Sequence, residues 1–503
     1  MPKNKQSINV ISLLLGSTLL SSCTLFNYLK SDTLFQSNMK EAAPAPVWVA
    51  PLPHQGSLKT LTAFWAQYQD PLLISLIDAA EKESVNLATA KTRIMQARAN
   101  RVVANAALLP TLDATGSGSI SVEQPTPKYK NTGGFNPIQS GGPTRSTQIG
   151  LQSAWELDLF GENAAVLDAS KATLLGAESS WHEARVALAA EVATSYFDYR
   201  FCNQQLDITK ADALSRHETA RITDISVKAG FTDEGAGHLA HASDASAQQQ
   251  VLLQQSTCDL TMKELVALTN MAEPDLQQKM QQSTAPKIDA KTTENFFSIA
   301  EIPAEIIAQR PDVYTAEQDV IAALADLKSS KLERYPTISL NGSIGLLHLS
   351  TKNYTANGGI WSLGPLSISL PIFDGGTAKA NIESKSVKLD ETFTSYRSKV
   401  RTAVKEVEQA LVTLDSTAKR AQSAQDAASS YKDALASTEV KYQSGFANII
   451  ELEETRRSSL QADSSIVGLN KERNNAWISL YRAAGGGWTK AEASKPLAIK
   501  ADH

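Results

Sequence analysis

Beyond its N-terminus the sequence has no apolar run of about 20 residues, the length a helix needs to cross a bilayer. A transmembrane helix in the mature chain is therefore excluded. There is no polybasic tract either, and a net charge of −5 gives no reason to expect nucleic acid. A nucleophile elbow, a phosphate loop and a zinc-protease helix are all missing, so nothing supports catalysis. Proline is absent from 161–230 and from 376–445. Cysteine is reduced to Cys23, Cys202 and Cys258. What is present is 503 residues at 42% hydrophobic and 20% charged, enough to bury a large core and too apolar for disorder.

Four short segments alternate cleanly. In 112–122, Leu112, Ala114, Gly116, Gly118, Ile120 and Val122 oppose Asp113, Thr115, Ser117, Ser119 and Ser121. In 148–159, Ile149, Leu151, Trp155, Leu157 and Leu159 oppose Gln148, Gln152, Glu156 and Asp158. Segments 338–347 and 360–372 repeat the scheme, with Ile338, Leu340, Ile344 and Leu346 in one, and Leu366, Ile368, Leu370 and Ile372 in the other. Strands of about ten residues, apolar on one face and polar on the other, suit a membrane β-barrel with a wet lumen. A barrel needs about eight strands or more, so four per chain imply that several chains build one barrel.

The chain also repeats itself. Thr89-Ala90, Ala97 and Leu109-Pro110-Thr111-Leu112 recur 226 positions later as Thr315-Ala316, Ala323 and Tyr335-Pro336-Thr337-Ile338. Past the second strand the offset becomes 215: Gly161 with Gly376, Glu191-Val192 with Glu406-Val407, Gly230-Phe231 with Gly445-Phe446. The difference falls in the loop between paired strands, 123–147 against 350–359, where insertions disturb little packing. The chain reads as a tandem duplication of helix, strand, strand, long helix, helix.

Each proline-free stretch, fully helical, would extend about 100 Å at 1.5 Å per residue. The second carries a 4–3 apolar seam from Leu389, Phe393, Tyr396 and Val400 down to Leu435, Thr438 and Tyr442. That is the pattern of a coiled coil. Val404, Leu411 and Ala418 begin a second row, as expected of a helix touching neighbours on both sides. Each long helix ends at Gly-Phe and reverses into a further helical stretch, 236–270 or 448–484, so each Gly-Phe reads as a hairpin tip. Gly235 and Gly237 are expected to weaken the start of the first returning helix.

At the N-terminus, Lys3 and Lys5 precede the apolar run 11–20, and Leu20-Ser21-Ser22-Cys23 follows. This resembles a bacterial lipobox, with Cys23 the lipidated first residue of the mature chain; the alternative is an ordinary signal peptide with an incidental cysteine. Thr24, not Asp, follows, so nothing resembles an inner-membrane retention signal.

A family resemblance rests on particular motifs. The lipobox, Trp65 with Asp70-Pro71-Leu72, Trp155-Glu156-Leu157-Asp158-Leu159-Phe160-Gly161, Arg310-Pro311-Asp312-Val313 with Ala316-Glu317, Tyr335-Pro336 and Pro371-Ile372-Phe373-Asp374-Gly375-Gly376 occur in order. Together they resemble the outer-membrane efflux channel family, in its TolC-like, NodT-type lipoprotein branch, over about residues 58–488. The resemblance implies a mixed α and β membrane protein. Its homotrimer would build one twelve-stranded β-barrel, continued by an α-helical coiled-coil tunnel. It implies a periplasmic adaptor and a proton-driven inner-membrane transporter as partners, contact with outer-membrane lipid, and no cofactor or metal. The expected division is a signal peptide 1–22, an anchored linker 23–57, repeats 58–285 and 286–488, and a mobile tail 489–503.

Within that frame Gly230, Phe231, Gly445 and Phe446 become adaptor-contacting tips. The resemblance places acidic gate residues at Glu451 and Glu454, an apolar constriction at Ile450, and a basic residue tying neighbouring helices at Arg457. Charge rings of this kind attract cations in pores. The alternative is that Glu451, Glu453, Glu454, Arg456 and Arg457 form an ordinary solvated face. Cys202 and Cys258 each lie 28 residues from Gly230, hence at one height in a hairpin. In an oxidising periplasm they form a disulfide, or else stay as two buried thiols. Their repeat counterparts are Thr417 and Arg473. His238 and His241, near Asp233 and Glu234, suit a solvated tip better than a metal site. Arg310-Pro311-Asp312 reads as a helix start of structural value. The function implied is passive export of small toxic compounds or drugs; one-step polypeptide secretion and a non-conducting periplasmic scaffold are the alternatives.

Overall fold

The computed structural model describes residues 64–122, 143–283, 303–352 and 354–490. The signal segment with Cys23, the linker 23–57, most of the first hairpin loop (123–142) and tail residues 491–503 lie outside the described residues.

Helices dominate, with one sheet. Helix α1 (Pro71–Glu83) and α2 (Val85–Ala106) are separated by Ser84, whose extended backbone and Oγ, accepting from Leu87 N–H at 3.3 Å, cap α2. Then come β1 (Thr111–Ser121), β2 (Thr144–Glu156), α3 (Glu162–Lys228), α4 (Glu234–Thr269) and α5 (Glu273–Gln282). The series resumes with α6 (Pro303–Ala308), α7 (Pro311–Leu332), β3 (Thr337–Ser350), β4 (Thr355–Ser369), α8 (Thr377–Gln443) and α9 (Ile449–Ala483). The element lengths repeat: α2 and α7 have 22 residues each, α3 and α8 have 67, α4 and α9 have 36 and 35.

The strands form one antiparallel sheet in the order β1-β2-β3-β4. Registers repeat with the sequence: Thr111 pairs with Ala154 and Thr337 with Ser369, at offsets of 226 and 215. In β4 the spacing breaks, since Leu340 pairs with Leu366 but Gly342 with Leu363. The extra residue is taken up at Gly364-Pro365, where φ of Gly364 is +103° and Pro365 has no N–H to leave unpaired. This bulge keeps Trp361 and Leu363 on the face of Leu366 and Ile368 despite their odd spacing.

The alternating patterns predict strands running to 159 and 372, but β2 stops at Glu156 and β4 at Ser369. The cause lies in the helices that follow. Asp158 accepts from the N–H groups of Asn163 (3.1 Å) and Ala164 (2.8 Å), capping α3. Asp374 does the same from Gly376 (2.9 Å) and Ala378 (2.7 Å), bonds that hold its carboxyl below the usual range.

The chain forms two compact units, each assembled from pieces of both sequence repeats. One comprises the described residues up to Glu83, within 186–313 and 393–489. Its core is aromatic: Phe64 stacks on Tyr481 at 4.8 Å, and Tyr68 packs on Phe197 at 4.7 Å. Asp70, buried among them, accepts from Tyr196 Oη at 2.5 Å and Arg200 at 3.3 Å, and its other oxygen caps α1. At the end of α9, Arg310 donates to both oxygens of Asp312 (3.0 and 2.9 Å) and to the Ala483 carbonyl (2.9 Å), and pairs with Glu406 at 2.8 Å. The expected helix start at Pro311 is therefore also a staple. Gly485, at φ +82°, sits so close to Gln309 that a Cβ would lie 2.3 Å from its carbonyl oxygen.

The other unit holds the sheet with α2, α7 and the adjoining ends of α3 and α8. Ile94, Ala97 and Leu174 form its core cluster, flanked by Ala177 and Trp181, and Arg98 pairs with Glu178 at 3.0 Å.

Candidate functional site

The sheet provides the first half of the site. Directly opposed residues share a face, so the registers sort every side chain. One face carries Leu112, Ile149, Leu346 and Trp361, 68–78% exposed. The other carries Thr115, Ser117, Gln148, Gln152 and a set of hydroxyl pairs bonded across strands. These are Ser119 with Ser146 (2.8 Å), Ser339 with Ser367 (2.7 Å) and Ser343 with Ser362 (2.8 Å). In the outer half of β2 and β3 the face of Ile149 and Leu346 is exposed and the face of Gln148 and Ser343 half-buried. Among the described residues, the half-burial of that side is what side chains shielding one another on a concave face give. Strands β1 and β4 each leave one edge unpaired in the chain.

The hairpin tips provide the second half. At each tip Gly takes positive φ, +77° at Gly230 and +79° at Gly445. The next N–H reaches back five residues: Phe231 to Ser226 O (2.9 Å), Phe446 to Lys441 O (2.8 Å). This is the Schellman ending that glycine permits. Phe231 and Phe446 are left 87% and 85% exposed. The returning helices begin at once, because Asp233 caps α4 through Ala236 N–H (3.0 Å) and Asn448 caps α9 through Glu451 N–H (2.8 Å). The expected weakness at Gly235 and Gly237 is thus corrected. Gly237 is buried, and a Cβ there would lie 3.3 Å from Val227, so the glycine lets α4 approach α3.

The candidate gate residues divide. Ile450 is 52% exposed, and Glu451, Glu454 and Arg457 are exposed on α9. Among the described residues Arg457 forms no ion pair within the chain. Glu453 and Arg456, one position away, are buried, so the solvated-face alternative fails for them. They belong to a network that sequence reasoning missed. Arg216 of α3 donates to Asp212 (2.7 Å) and to Ser243 of α4 (2.7 Å), and pairs with Glu453 of α9 at 3.2 Å. Ser243 also donates to Glu453 (2.9 Å), and Arg456 bonds Glu453 and Thr219. Within the chain, Arg216 and Arg456 tie the two hairpins together. Their i,i+4 and i,i+3 spacing to acids looks like an ordinary surface pair, which is why the pattern hid them.

Cys202 and Cys258 are joined in a disulfide, with Sγ–Sγ 2.06 Å and Cα–Cα 5.5 Å. Leu206, Tyr199 and Val251 pack around it. Gln254 donates to the Cys202 carbonyl at 3.3 Å. His241 bonds Asp224 at 2.8 Å and His217 bonds Asp244 at 3.0 Å, each crossing from one helix of the first hairpin to the other. No cluster of three metal-ligating side chains occurs among the described residues.

A four-stranded sheet with one hydroxyl-lined and one apolar face, on a chain that also carries two 67-residue helices, suits the wall of an outer-membrane channel. Comparison with known proteins gives the class its family: the model for "Outer membrane efflux protein" matches residues 76–271 and 302–486, and the chain belongs to that family. It is 28% identical over 468 residues to outer membrane protein OprJ of Pseudomonas aeruginosa, covering 90% of this chain and 92% of that protein. It is 26% identical over 430 residues to the solvent efflux pump outer membrane protein SrpC of Pseudomonas putida, covering 84% and 87%. The Campylobacter jejuni CmeC outer membrane channel shares its fold, with a TM-score of 0.75 at 22% identity over 91% of this chain and 99% of that one. The protein is an outer-membrane efflux channel.

Proposed function

We propose that three copies of the chain close one twelve-stranded barrel and one helical tunnel. The assembly passively conducts small toxic compounds outward, powered by an inner-membrane transporter through a periplasmic adaptor. The observation that carries this reading is the four-stranded sheet with two unpaired edges, which hydrocarbon does not tolerate. Three copies placed edge to edge satisfy every backbone group and turn the concave hydroxyl face into a lumen. The solvent pump named for one relative favours small apolar cargo over polypeptides. The wet inner face argues against a scaffold that conducts nothing.

In this assembly the exposed Phe231 and Phe446 meet the adaptor, and Cys23 carries lipid beside the barrel. Ile450, Glu451 and Glu454 converge from three chains on the tunnel mouth, with Arg457 reaching the neighbouring chain. Like charges so arranged repel unless cations or arginine compensate. Native mass spectrometry in mild detergent, followed by planar-bilayer recording, tests the reading. A trimer with small, divalent-sensitive resting current is expected. A folded monomer as the main membrane species, or a trimer without conductance, refutes it.

A further inference from the structure

We propose that the two open edges of the sheet fit each other in one register. Strand β4 of one copy pairs antiparallel with β1 of the next, with Ser367 opposite Ser117, Ser369 opposite Thr115 and Ile368 opposite Gly116. The proposal rests on the trimeric barrel above and specifies how its seams close. Its basis is the duplication. The β1–β2 hairpin is reproduced by β3–β4 at offsets of 226 and 215, so three copies supply equivalent hairpins all round a barrel. One junction between hairpins lies within the chain, β2 on β3. Tilt and stagger are linked in a closed barrel, so equivalent hairpins that share one tilt are joined in one register. The offsets carry that junction onto the seam: 215 added to Gln152 gives Ser367, and 226 taken from its partner Ser343 gives Ser117. In the same way Ala154–Asn341 becomes Ser369–Thr115, and Leu151–Ile344 becomes Leu366–Gly118.

The side chains at these positions agree with the count. Ser367 already bonds Ser339 at 2.7 Å, and the seam extends that row of hydroxyls to Ser117 of the next copy. On the apolar face Leu366 and Ile368 come opposite Gly118 and Gly116, where a Cβ would meet nothing within the chain. A slip of one residue would set the hydroxyls of one copy among the apolar residues of the other. A slip of two keeps the faces but abandons the stagger of β2 on β3. The seam also accounts for where β4 stops. Pairing on β3 carries β2 to Glu156, beyond Ala154, its last partner on β1, and Leu157 N–H still reaches Ile338 O at 2.7 Å. Strand β4 has no such second neighbour and ends at Ser369, opposite Thr337. In the trimer β1 of the next copy carries it on, with Leu370 opposite Ala114 and Ile372 N–H donating to the Leu112 carbonyl. That continuation gives a partner to Ile372, 93% exposed in the single chain. It gives one also to β1, exposed along its whole length while Ser339 and Ser343 of the inner strand β3 are half-buried.

Cysteine cross-linking of the full chain tests the register. Because Leu157 bonds Ile338, the pairs between, Gln152–Ser343 included, are of the non-hydrogen-bonded kind, with Cα atoms about 4.5 Å apart. A disulfide fits such a pair, whereas diagonal neighbours about 7–8 Å apart are too far. Ser117→Cys/Ser367→Cys protein is extracted from membranes in mild detergent, oxidised and run on a denaturing gel without reductant. Cys202 and Cys258 are already bonded to each other, and the parent chain oxidised alongside controls for Cys23. A covalent ladder ending at the trimer and lost on reduction is expected. The slipped pairs Thr115→Cys/Ser367→Cys and Ser119→Cys/Ser367→Cys should link at least about tenfold less. Thr115→Cys/Ser369→Cys tests the same register if the first variant does not assemble. If a slipped pair links in its place while native mass spectrometry still shows a trimer, the register is overturned and the barrel reading stands. A trimer in which no pair links overturns the seam of β4 on β1 in the same way. A folded monomer as the main membrane species ends both.

Discussion

The two helical hairpins have almost the same lengths and the same glycine endings, yet they are held differently. Between α3 and α4 run a disulfide and two histidine–aspartate bonds. Between α8 and α9 the corresponding positions hold Thr417 and Arg473, and an exposed ion pair, Arg420–Glu472 at 2.6 Å, crosses the gap. An open groove of about 700 Å³, lined by Ala424, Ala427, Tyr431, Glu454 and Arg457, separates the helices closer to the tip. One hairpin is stapled to itself; the other leans on its neighbour through Glu453 and Arg456. The two copies of a duplicated unit are thus held in two ways, one by its own cross-links and one by buried bonds to the other.

The largest effect is expected where that dependence is concentrated. Arg216→Ala leaves Asp212 buried without its cation and Glu453 with Arg456 alone, at a cost of about 3–5 kcal/mol. Single-channel recording should show a several-fold higher resting current, and an unchanged current would mean that the tie does not restrain the second hairpin. Replacing Cys202 and Cys258 by Ser should cost about 2–4 kcal/mol. Hydrogen exchange should speed up in α3 and α4 while α8 and α9 stay protected; equal acceleration in both hairpins would erase the contrast.

At the mouth, Glu451→Ala with Glu454→Ala should weaken divalent-cation block, and Arg457→Ala should raise resting current less than Arg216→Ala does. Blockade and current that stay as in the parent would return these residues to a solvated face. The smallest effect is a pH dependence. Burial opposes charge on Asp312, but bonds from Arg310 prevail and hold its carboxyl below the usual carboxylate range. A depressed carboxyl stabilises the fold above its unfolded pKa, and that contribution is lost as pH falls through the folded value. Thermal unfolding from neutral pH down through the carboxylate range should therefore fall less steeply for Asp312→Asn than for the parent, and parallel curves would contradict the assignment.

Much of the architecture was legible because it is written in local period. Alternation in steps of two marked all four strands, the 226 and 215 offsets marked the duplication, and counting from Gly230 brought Cys202 level with Cys258. What stayed hidden depends on a partner far along the chain. Gly237 looks like a helix breaker until Val227 is seen against it. Glu453 and Arg456 look solvated until α3 covers them. The strand ends shifted because Asp158 and Asp374 serve the helices that follow.

The bond from Arg310 to the Ala483 carbonyl spans 173 residues and has a consequence in time. A chain threaded across a membrane from its N-terminal side presents Arg310 long before it presents Ala483. Until then the buried guanidinium lacks its acceptor, and the glycine turn that fits against Gln309 has not been delivered. The second repeat therefore closes late, as nearly its last residues arrive. Truncation just before Ala483 removes the acceptor and the turn together and should leave a protease-sensitive chain.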